Sequence, residues 1–466
     1  MEYINEKLVK FEKDIKGKKI AIIGLGVSNV LLLDYFHKLG AFVTVFDNRN
    51  IDEIPKDIME KINSYEIKYV FGENNLSKLT GFDYIFRSPS CMPTLPELKK
   101  AVSEGAILTT EIEMLLKLAP CRVIGITGTE GKTTTSTIIY SIIKEAGINC
   151  FLGGNIGNPL FTKINEMKPD DIIVLEMSSF QLIGMNVSTD ISIVTNIYPD
   201  HLNVHSSFEE YVDSKTNIFT HQNKEGIVIL NYDNEITKTF SDKAKGKVIF
   251  FSSKEKLNDG YIYDSTDGNI KLCEDGIRRH IINKKDIKLR GVHNYENICA
   301  ALAATSSLVD IDTQIEAVKN FIGVEHRLEF VREIDGVKYY NDSIGTSPAS
   351  TIAGLNAFDE NIVLIAGGSD KGLEYDEVGK AIAENVGTLI LCGPTSEKIE
   401  KATLSALENK KMEIYHVSNL SEQVKMAKKV AKKGDIVLLS PASASFDAFS
   451  SFAERGKKFK EFVNNL

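Results

Sequence analysis

Paired cysteines are missing from this sequence. Its six cysteines, at positions 91, 121, 150, 273, 299 and 392, include no C-x-x-C pair, and several lie inside apolar runs. Scattered cysteines of this kind are typical of reduced, buried small hydrophobic residues in a cytosolic protein. The pattern therefore argues against a disulfide-stapled extracellular domain.

Long apolar runs and long basic runs are missing as well. No segment approaches the roughly 20 apolar residues that a membrane helix needs. Residues 1–19 are rich in Lys, Glu and Asp and lack the apolar core of a signal peptide. The formal net charge is −9, without the Lys/Arg block that would favour nucleic acid or an anionic membrane as the main partner. We expect a soluble, cytoplasmic protein that binds neither.

The chain is too long for one ordinary hydrophobic core. Its 466 residues, 43% of them hydrophobic, predict about three domains with a core each. Strand and helix patterns alternate along the chain, which predicts an α/β protein with mostly parallel sheets. We expect a Rossmann-like domain at 1–110, a central P-loop domain at 111–323 and a second Rossmann-like domain at 324–466. The strands predicted for the last domain lie at 337–340, 362–366, 388–391, 412–416 and 436–439.

A glycine-rich turn precedes a helix-like stretch at 133–144. Its compact block, residues 128–134, reads Gly-Thr-Glu-Gly-Lys-Thr-Thr, whereas Gly125 lies one residue too early for the general P-loop. Glycines let backbone N–H groups converge on an anion, the helix N-terminus adds partial positive charge, and Lys132 adds a full one. Thr133 has the hydroxyl expected on a phosphate-bound magnesium ion. An ordinary glycine turn would leave Lys132 unexplained, so the block predicts a nucleotide-phosphate site.

A second glycine turn lies near the N-terminus. A strand, a turn, a helix and another strand are predicted at 19–23, 24–26, 27–39 and 42–46. The spacing from Gly26 to Asp47 is the one that a Rossmann unit uses to reach a ribose hydroxyl, but Asn29 stands in place of the third glycine. Two interpretations stay open, a ligand-binding turn and a turn whose glycines serve only tight packing.

Polar residues follow the predicted strands of the central domain. Glu176 and His201 each come after an apolar strand, predicted at 171–175 and 191–197, and Lys215 lies on the next predicted helix, at 208–219. The carboxyl ends of parallel strands face the crevice where ligands bind. Magnesium prefers oxygen ligands, so Thr133 and Glu176 suit it better than His201 does. Taken alone, His201 is also typical of a capping or core group, and Lys215 of a surface charge.

Three more polar clusters stand at predicted element ends. Residues 291–297 precede an alanine-rich helix, His326 and Arg327 open the third domain, and residues 341–343 follow a strand. Clusters at element ends are expected to line a cleft between domains. An arginine there would neutralise charge on a transferring phosphoryl group, and an asparagine would contact the nucleotide base.

Together these blocks resemble the Mur ligases, the ATP-dependent amide-forming enzymes of peptidoglycan precursor synthesis. The matching segments span all three predicted domains in the order of the family, at 128–134, 153–157, 176–181, 196–201, 291–297, 326–327 and 341–343. Residues 176–182 and 440–447, followed by Phe452, are most similar to the members that add D-glutamate to UDP-N-acetylmuramoyl-L-alanine. The resemblance implies a cytoplasmic ligase of cell-wall biogenesis, and so of cell shape, cell division and the cell cycle, that acts as a monomer.

The resemblance also implies roles for individual residues. The ATP phosphates would meet Gly128, Thr129, Glu130, Gly131, Lys132, Thr133 and Thr134, and the rest of the nucleotide would meet Asn294, Arg327 and Asp342. One magnesium ion would lie on Thr133 and Glu176, and a second on His201 and a carbamylated Lys215. The UDP group would meet Val27, Ser28, Asp47, Arg49 and Ser88, and the muramoyl part Asn155 and Ser178. D-Glutamate would meet Thr346, Lys371, Ser445, Phe446 and Phe452. Lys132, His201 and Lys215 are the implied catalytic residues.

The implied reaction activates a carboxylate as an acyl phosphate, which the amine of D-glutamate then attacks. Three positions depart from the family pattern. Glu130 stands where Asn is common, Ile344 where many D-glutamate-adding members have Lys, and Ser90 where Gly is common. The alternatives are another Mur or folylpolyglutamate-type ligase with a different amino acid, an NAD-linked oxidoreductase built on the N-terminal turn, and a regulatory nucleotide-binding protein.

Overall fold

The strands of this protein form three separate sheets. The computed structural model describes residues 3–157, 159–201, 204–370, 372–407 and 411–466. In these ranges the sheets have five, nine and six strands, and most neighbouring strands are parallel, so the predicted α/β class is confirmed. The chain divides into two compact units, one of Met1–Lys284 with Glu296–Val318 and the other of Lys285–Tyr295 with Lys319–Leu466.

The first sheet belongs to the first unit and is entirely parallel. Its strands are β1 (Lys19–Ile23), β2 (Phe42–Asp47), β3 (Lys68–Phe71), β4 (Tyr84–Arg87) and β5 (Ile107–Thr109). They lie in the order β3-β2-β1-β4-β5. The accompanying helices are α1 (Glu6–Ile15), α2 (Val27–Lys38), α3 (Lys56–Ser64), α4 (Pro96–Ser103) and α5 (Glu111–Leu118), with 3₁₀ turns at Ile51–Glu53 and Asn75–Lys78. The β1 sequence KIAII is buried after its first residue, as expected for a strand covered on both faces.

The nine-stranded sheet also belongs to the first unit. Its strands are β6 (Arg122–Thr127), β7 (Cys150–Gly154), β8 (Ile172–Glu176), β9 (Ile191–Val194), β10 (Ile227–Asn231), β11 (Lys247–Ser252), β12 (Gly260–Asp264), β13 (Asn269–Glu274) and β14 (Ile277–Asn283). Their order is β14-β13-β12-β11-β10-β9-β6-β8-β7, and only the β12-β13-β14 meander is antiparallel. Helices α6 (Lys132–Glu145), α7 (Ser179–Leu182) and α8 (Phe208–Thr216) follow strands of the parallel part, with 3₁₀ turns at Phe161–Glu166 and Thr237–Lys243.

Several predicted boundaries in this region were wrong; helix α8, for example, ends at Thr216 rather than at residue 219. The polar block 291–297 does not precede its helix, because α9 (Val292–Thr305) begins directly after Gly291, whose φ is 93°. Strand β9 ends at Val194 rather than at residue 197, since the chain turns there to hold the glycine-rich loop. A 3₁₀ turn at Lys284–Asp286 precedes α9, and helix α10 (Ile311–Asn320) follows it.

The third sheet lies in the second unit. Its strands are β15 (Glu329–Ile334), β16 (Val337–Asn341), β17 (Ile362–Ala366), β18 (Val386–Leu391), β19 (Glu413–His416) and β20 (Ile436–Leu439), in the order β15-β16-β20-β17-β18-β19. Only the edge strand β15 pairs antiparallel. Its helices are α11 (Pro348–Leu355), α12 (Asp376–Asn385), α13 (Ser396–Ala406), α14 (Leu420–Val430) and α15 (Phe452–Asn464). The strands β17 and β20 are buried throughout, between one apolar cluster on each face of the sheet.

Every helix in the described part of the chain is too short or too polar to cross a membrane.

Candidate active site

The glycine-rich loop joins β6 to α6, and the fold requires two of its glycines. Gly128 and Gly131 have φ angles of 144° and 81°, which side chains other than glycine rarely adopt. A Cβ atom at Gly128 would collide with the Thr195 hydroxyl, and one at Gly131 with the Asn297 amide. Gly131 is also the N-cap of α6. The loop is therefore held in one shape at a helix N-terminus, the arrangement that binds phosphate groups.

Two side chains complete the loop from inside. The ammonium of Lys132 donates to the carbonyl oxygens of Gly128 (3.0 Å) and Thr129 (2.7 Å). The backbone N–H of Glu130 donates to Asn196 Oδ1 (2.8 Å), and the Glu130 side chain is exposed. Lys132 thus lies across the loop, within reach of any anion that the loop binds, while Thr134 is buried in α6.

A hydroxyl and a carboxylate meet beside the loop. Thr133 Oγ1 donates to Glu176 Oε2 (2.7 Å), and Asn155 Nδ2 donates to Glu176 Oε1 (2.9 Å). Glu176 ends β8 and is 2% exposed. The structure therefore brings together the two residues predicted to hold the first magnesium ion. Ser178, two residues on, caps α7 through a capping box with Gln181.

Lys215 is a buried cation on the same edge of the sheet. Its ammonium donates to Gly128 O (2.8 Å) and lies 3.5 Å from Thr127 Oγ1 and 4.7 Å from the centre of the Tyr211 ring. Burial, reinforced by the nearby Lys132 charge, lowers the pKa of Lys215 to about 7. A large fraction of this side chain is consequently the neutral amine at physiological pH, which is the nucleophilic form of a lysine.

His201 stands apart from this cluster. It has a φ of 54°, its ring is about half exposed, and its contacts are an ion pair with Asp200 (3.4 Å) and the edge of the Phe180 ring. The structure does not record it in contact with Lys215, with which it was predicted to share a metal ion. A second histidine, His205, is buried: its Nε2 lies 2.9 Å from Ser179 Oγ and its ring stacks on Phe180.

The predicted UDP-binding residues gather at the carboxyl edge of the first sheet. Asp47 ends β2 and accepts hydrogen bonds from the backbone N–H of Leu25 (2.8 Å) and from Nε (2.9 Å) and Nη2 (2.8 Å) of Arg49. Burial opposes ionisation of Asp47, but these bonds from Arg49 and the backbone hold its pKa below the usual value. Val27 and Ser28 begin α2, and Val27 is 78% exposed. This edge therefore presents a fixed Asp–Arg pair beside an open helix start.

Asn29 explains why the third glycine of the dinucleotide fingerprint is absent. Its side-chain amide is buried and donates to the carbonyl oxygens of Ile23 (3.0 Å) and Gly24 (2.9 Å). The turn is thus closed by an amide rather than by close helix packing. Gly24 also needs its missing side chain, because a Cβ atom there would lie 2.7 Å from Ser88 Oγ. Ser88, at the end of β4, is thereby held against the same turn.

In the second unit, Asp342 is the central buried acid. It follows β16 and accepts from Ser440 Oγ (2.7 Å) and from the backbone N–H of Leu328 (3.2 Å). Burial raises its pKa to about 6, against the opposing effects of Ser440 and Arg327. Arg327 lies between two residues in left-handed conformations, His326 and Leu328, and its Nε is buried without a hydrogen-bond partner among the described residues.

Asn294 lies in the first turn of α9 and donates to the carbonyl of Arg290 (2.6 Å). Its neighbour His293 is kept neutral, because burial and the charge of Arg327 lower its pKa to about 4. These contacts all lie inside the second unit. They bring the region of Asn294 near Arg327, as the nucleotide prediction required.

The predicted acceptor residues lie on loops of the same unit. Ser445 Oγ is buried without a partner in the described ranges, whereas Phe446 is 71% exposed and Phe452 begins α15. Thr346 follows the β16 end, and Lys371 lies outside the described residues. A residue that the sequence did not single out, Arg455, joins these segments.

The guanidinium of Arg455 connects the acid and acceptor segments. It donates to Ser343 Oγ (3.0 Å), Ser343 O (2.9 Å) and Ser443 O (3.1 Å), and burial lowers its pKa to about 10. The strand end that carries Asp342 and the loop that carries Ser445 are thus fixed to one side chain.

Several other supporting residues were missed in the sequence. Asn196 and Asn297 lie inside blocks that the family resemblance already marked, so their roles in shaping the loop could have been predicted from the sequence. Tyr211 lies four residues before Lys215 on α8, a spacing that places the two on one helix face. Arg455 had no such signal, because its importance depends on three segments that are distant in sequence.

Three protein-family models match this chain in succession. The Mur ligase MurD-like N-terminal domain matches residues 18–110, the Mur ligase middle domain residues 126–305, and the Mur ligase glutamate ligase domain residues 326–443.

Among curated proteins, the chain is similar to the UDP-N-acetylmuramoylalanine--D-glutamate ligase of Clostridium acetobutylicum. The two are 47% identical over 459 residues, a match that covers 98% of each chain. Among solved structures, it is similar to the UDP-N-acetylmuramate-alanine ligase MurC of Thermotoga maritima (TM-score 0.59, 18% identity, 96% of this chain and 99% of that one). It is also similar to the MurF ligase of T. maritima in complex with ADP (TM-score 0.56, 18% identity, 97% and 96%). At these identities the solved structures show a shared fold.

Proposed function

The chain belongs to the Mur ligase family, and from this premise we propose that it joins D-glutamate to UDP-N-acetylmuramoyl-L-alanine at the expense of ATP, in the synthesis of peptidoglycan precursors. The observation that carries the proposal is the 47% identity, over 98% of both chains, to a ligase named for this reaction. The proposed domains are a UDP-substrate domain at 1–110, an ATP domain at 111–323 and an amino-acid domain at 324–466. The proposed enzyme acts as a monomer in the cytoplasm.

A carboxylate does not react with an amine in water, so it must first be activated. In the proposed reaction a carboxylate oxygen of the muramoyl-alanine attacks the γ-phosphorus of ATP, and ADP leaves. The neutral amine of D-glutamate then attacks the acyl carbon, the C–O bond to phosphate breaks, and the amine loses a proton as the amide forms. Both steps require the attacking atom to be aligned with the atom it attacks, and both are favoured by positive charge around the phosphoryl oxygens.

The loop residues suit the first step. Lys132 now donates to two loop carbonyls, and it would exchange these for phosphate oxygens when ATP binds. Magnesium usually binds through one or two carboxylates together with substrate phosphates, so Thr133 and Glu176 are the donors that this chain offers to it. When bound, the ion would offset negative charge on the phosphoryl group. The side-chain amide of Asn155 would keep Glu176 oriented, and Asn155 and Ser178 are the proposed contacts of the muramoyl group.

Lys215 is the proposed site of a carbamate. A neutral amine adds to carbon dioxide and loses one proton, which converts the neutral side chain into a carboxylate-like anion. The burial of Lys215 and its lowered pKa favour the neutral amine that this addition requires. The resulting oxygens, together with His201, would hold a second magnesium ion; the loop that carries His201 would have to bring its ring closer.

The remaining residues are assigned to the three substrates. Asn294, Arg327 and Asp342 would hold the nucleoside part of ATP, and the buried Nε of Arg327, which has no partner among the described residues, is a donor available to it. Val27, Ser28, Asp47, Arg49 and Ser88 would hold the UDP group. The D-glutamate residues would be Thr346, Lys371, Ser445, Phe446 and Phe452, with the buried hydroxyl of Ser445 as a ready donor to a carboxylate.

A substrate panel tests the proposal. Phosphate release from ATP is measured with UDP-N-acetylmuramoyl-L-alanine and, in turn, D-glutamate, L-glutamate, L-alanine, L-lysine and meso-diaminopimelate. We expect release to require both the UDP-linked substrate and D-glutamate. Equal turnover with another amino acid would contradict the specific reaction, and Ile344, in the place of a common lysine, is the position at which a different choice would arise.

A further inference from the structure

A buried arginine links two candidate substrate segments of the first unit. Arg87 is the last residue of β4 and is 3% exposed. Its position directly before Ser88 puts it at the base of a segment assigned above to the UDP group. Burial lowers its pKa, against the opposing effects of Cys91 and Glu113.

The guanidinium donates to four carbonyl oxygens rather than to a carboxylate. Two belong to its own loop, Ser88 O (3.5 Å) and Cys91 O (3.2 Å). The other two belong to α7 and to the residue that caps its end, Phe180 O (3.4 Å) and Ile183 O (2.5 Å). One planar group thus spans two segments almost a hundred residues apart, which a fork of several fixed N–H donors permits and a lysine ammonium does not.

The α7 segment needs such a partner. It has only four residues, so its final carbonyl groups have few helical partners of their own. At its other end the capping box of Ser178 and Gln181 fixes the chain directly after Glu176. The ring of Phe180 packs against His201 and His205. The orientation of α7 therefore affects the residues assigned to the muramoyl group and to the metal ions.

A second close contact joins the same two regions. Gly184 has a φ of 75°, and a Cβ atom there would lie 3.1 Å from the Pro93 ring. Beside it, a cavity of about 330 Å³ is lined by Arg87, Pro93, Gly184 and Glu113, among others. The guanidinium therefore borders open space, and its hydrogen bonds add to the apolar packing that joins the two regions.

We propose that Arg87 is a positioning residue for the UDP-linked substrate: it fixes loop 88–91 against α7, so that the group held on the first sheet presents its carboxyl at the Glu176 end of β8. The inference rests on the proposed function for the identity of that substrate. Arg87 does not touch the reacting atoms, so its removal should disturb the handling of the UDP-linked substrate and leave ATP binding intact.

The experiment compares Arg87→Met, Arg87→Lys and Arg87→Ala in the full-length protein. Lys117→Met is the matched control, because it removes another cation beside the same cavity, one that pairs with Glu113 (2.7 Å) on the cavity wall. For Arg87→Met we expect kcat/KM for UDP-N-acetylmuramoyl-L-alanine to fall by about 10- to 100-fold. The KM for ATP should stay within about twofold, since the phosphate loop is untouched. Arg87→Lys should lie between Met and wild type, and Lys117→Met should match wild type.

Chemical rescue separates positioning from general stability. In Arg87→Ala the deleted side chain opens onto the existing cavity, so millimolar methylguanidinium should restore part of the lost kcat/KM, whereas methylammonium should not. Equal losses for ATP and for the UDP-linked substrate, unchanged kinetics in Arg87→Met, or no rescue would each overturn the inference. If Arg87→Ala does not fold, Arg87→Lys decides, because a specific rise in KM for the UDP-linked substrate is then still required.

Amide hydrogen exchange keeps this test separate from the proposed function. In Arg87→Met the amides of residues 88–91 and 180–184 should exchange faster, and those of 128–134 should not change. This readout needs no substrate. An inactive wild-type enzyme in the substrate panel would refute the proposed function, whereas unchanged exchange at 88–91 and 180–184 would refute the role of Arg87.

Discussion

The phosphate loop and the Asp342 strand end differ in how their polar groups are paired. At the loop, Lys132 and Lys215 donate to backbone carbonyls, and Glu176 accepts from two side chains. At the strand end, Asp342 is a fully buried acid with a pKa raised to about 6, and Arg327 has a buried Nε without a partner among the described residues.

This difference separates two kinds of site. A group that already has partners gains little from exchanging them for a ligand, so its substitution should be felt mainly in the chemical step. A buried group without a partner, such as Arg327 Nε, or a carboxyl whose ionisation burial opposes, such as Asp342, costs stability in the free protein and regains it when a ligand binds. Substitutions at the loop should therefore change turnover, and substitutions at the strand end should change ligand affinity and stability in opposite directions.

The largest effect is expected at Lys132. Lys132→Ala should lower kcat by about 10³-fold, because a cation is lost where charge develops on the phosphoryl group. The melting temperature should stay close to that of wild type, since Lys132 is only partly buried and donates to two carbonyl oxygens of the loop. Steady-state phosphate release and thermal denaturation measure the two quantities. Lys144→Ala, at the exposed far end of α6, is the control; kcat within tenfold of wild type in Lys132→Ala would remove the loop from the chemistry.

Lys215 should give the next largest effect. Lys215→Ala should lower kcat by about 10²- to 10³-fold, and short carboxylic acids should restore part of it by replacing the oxygens of the proposed carbamate. The control is Lys243→Ala, an exposed lysine that pairs with Asp213 near the same helix. Full activity in Lys215→Ala, or a loss that no carboxylic acid relieves, would contradict the carbamate.

The same lysine also predicts a pH dependence. Because its pKa is lowered to about 7, the neutral amine becomes the major form as the pH rises through that value. Activity of enzyme freed of carbon dioxide and then supplied with bicarbonate should consequently recover faster at pH 8 than at pH 6. Recovery rates that do not change across this range would show that Lys215 is not the titrating group.

Asp342 tests the other half of the comparison. Its pKa is higher folded (about 6) than unfolded (3.8), so the folded state binds more protons between these values and stability falls as the pH rises through them. The cost is fully present above about pH 6. Asp342→Asn should therefore raise the free energy of unfolding at pH 7.5 by about 1–3 kcal/mol, with little difference from wild type near pH 4.

The same variant should bind ATP more weakly, by about tenfold in KM, because a carboxylate that orients the nucleotide is lost. Urea denaturation at both pH values and ATP titration of the rate provide the measurements. Asp359→Asn, an exposed acid of the same unit, is the control. A variant that lost stability and affinity together would show that Asp342 is a structural acid, and the contrast with the loop would disappear.

The two regions also differ in how far they could be predicted from the sequence. Around the loop, local patterns were enough: the turn, α6, the β8 end with Glu176 and the helix with Lys215 all follow apolar runs of the expected period. The strands β17 and β20 were predicted to the residue for the same reason. The strands of region 241–285 were not predicted in this way, because the last three form a meander whose pairing no local pattern specifies.

At the strand end, the sequence predicted which residues belong to the site but not their burial or their hydrogen-bond partners. The Asn-Asp-Ser block marked Asp342, yet its burial depends on Ser440, nearly a hundred residues later. Arg455 and Arg87 were missed for a similar reason, since each acts through carbonyl groups of distant segments. A backbone carbonyl has no signature in a sequence, so a side chain whose partners are carbonyls becomes visible only in the fold.

Substitution of Glu130 should give the smallest effect, and it tests whether a carboxylate beside the loop weakens ATP binding. Its backbone is held by Asn196 and Thr195, while its exposed carboxylate lies next to the phosphate-binding turn. An exposed charge is largely screened, so Glu130→Asn should lower the KM for ATP by only about two- to fivefold, and by less at high salt. Glu145→Gln, which removes the same charge at the other end of α6, should have no effect. A rise in KM for ATP in Glu130→Asn would mean that the carboxylate assists binding, for example as an outer ligand of magnesium, and that the loop is less complete than its internal hydrogen bonds indicate.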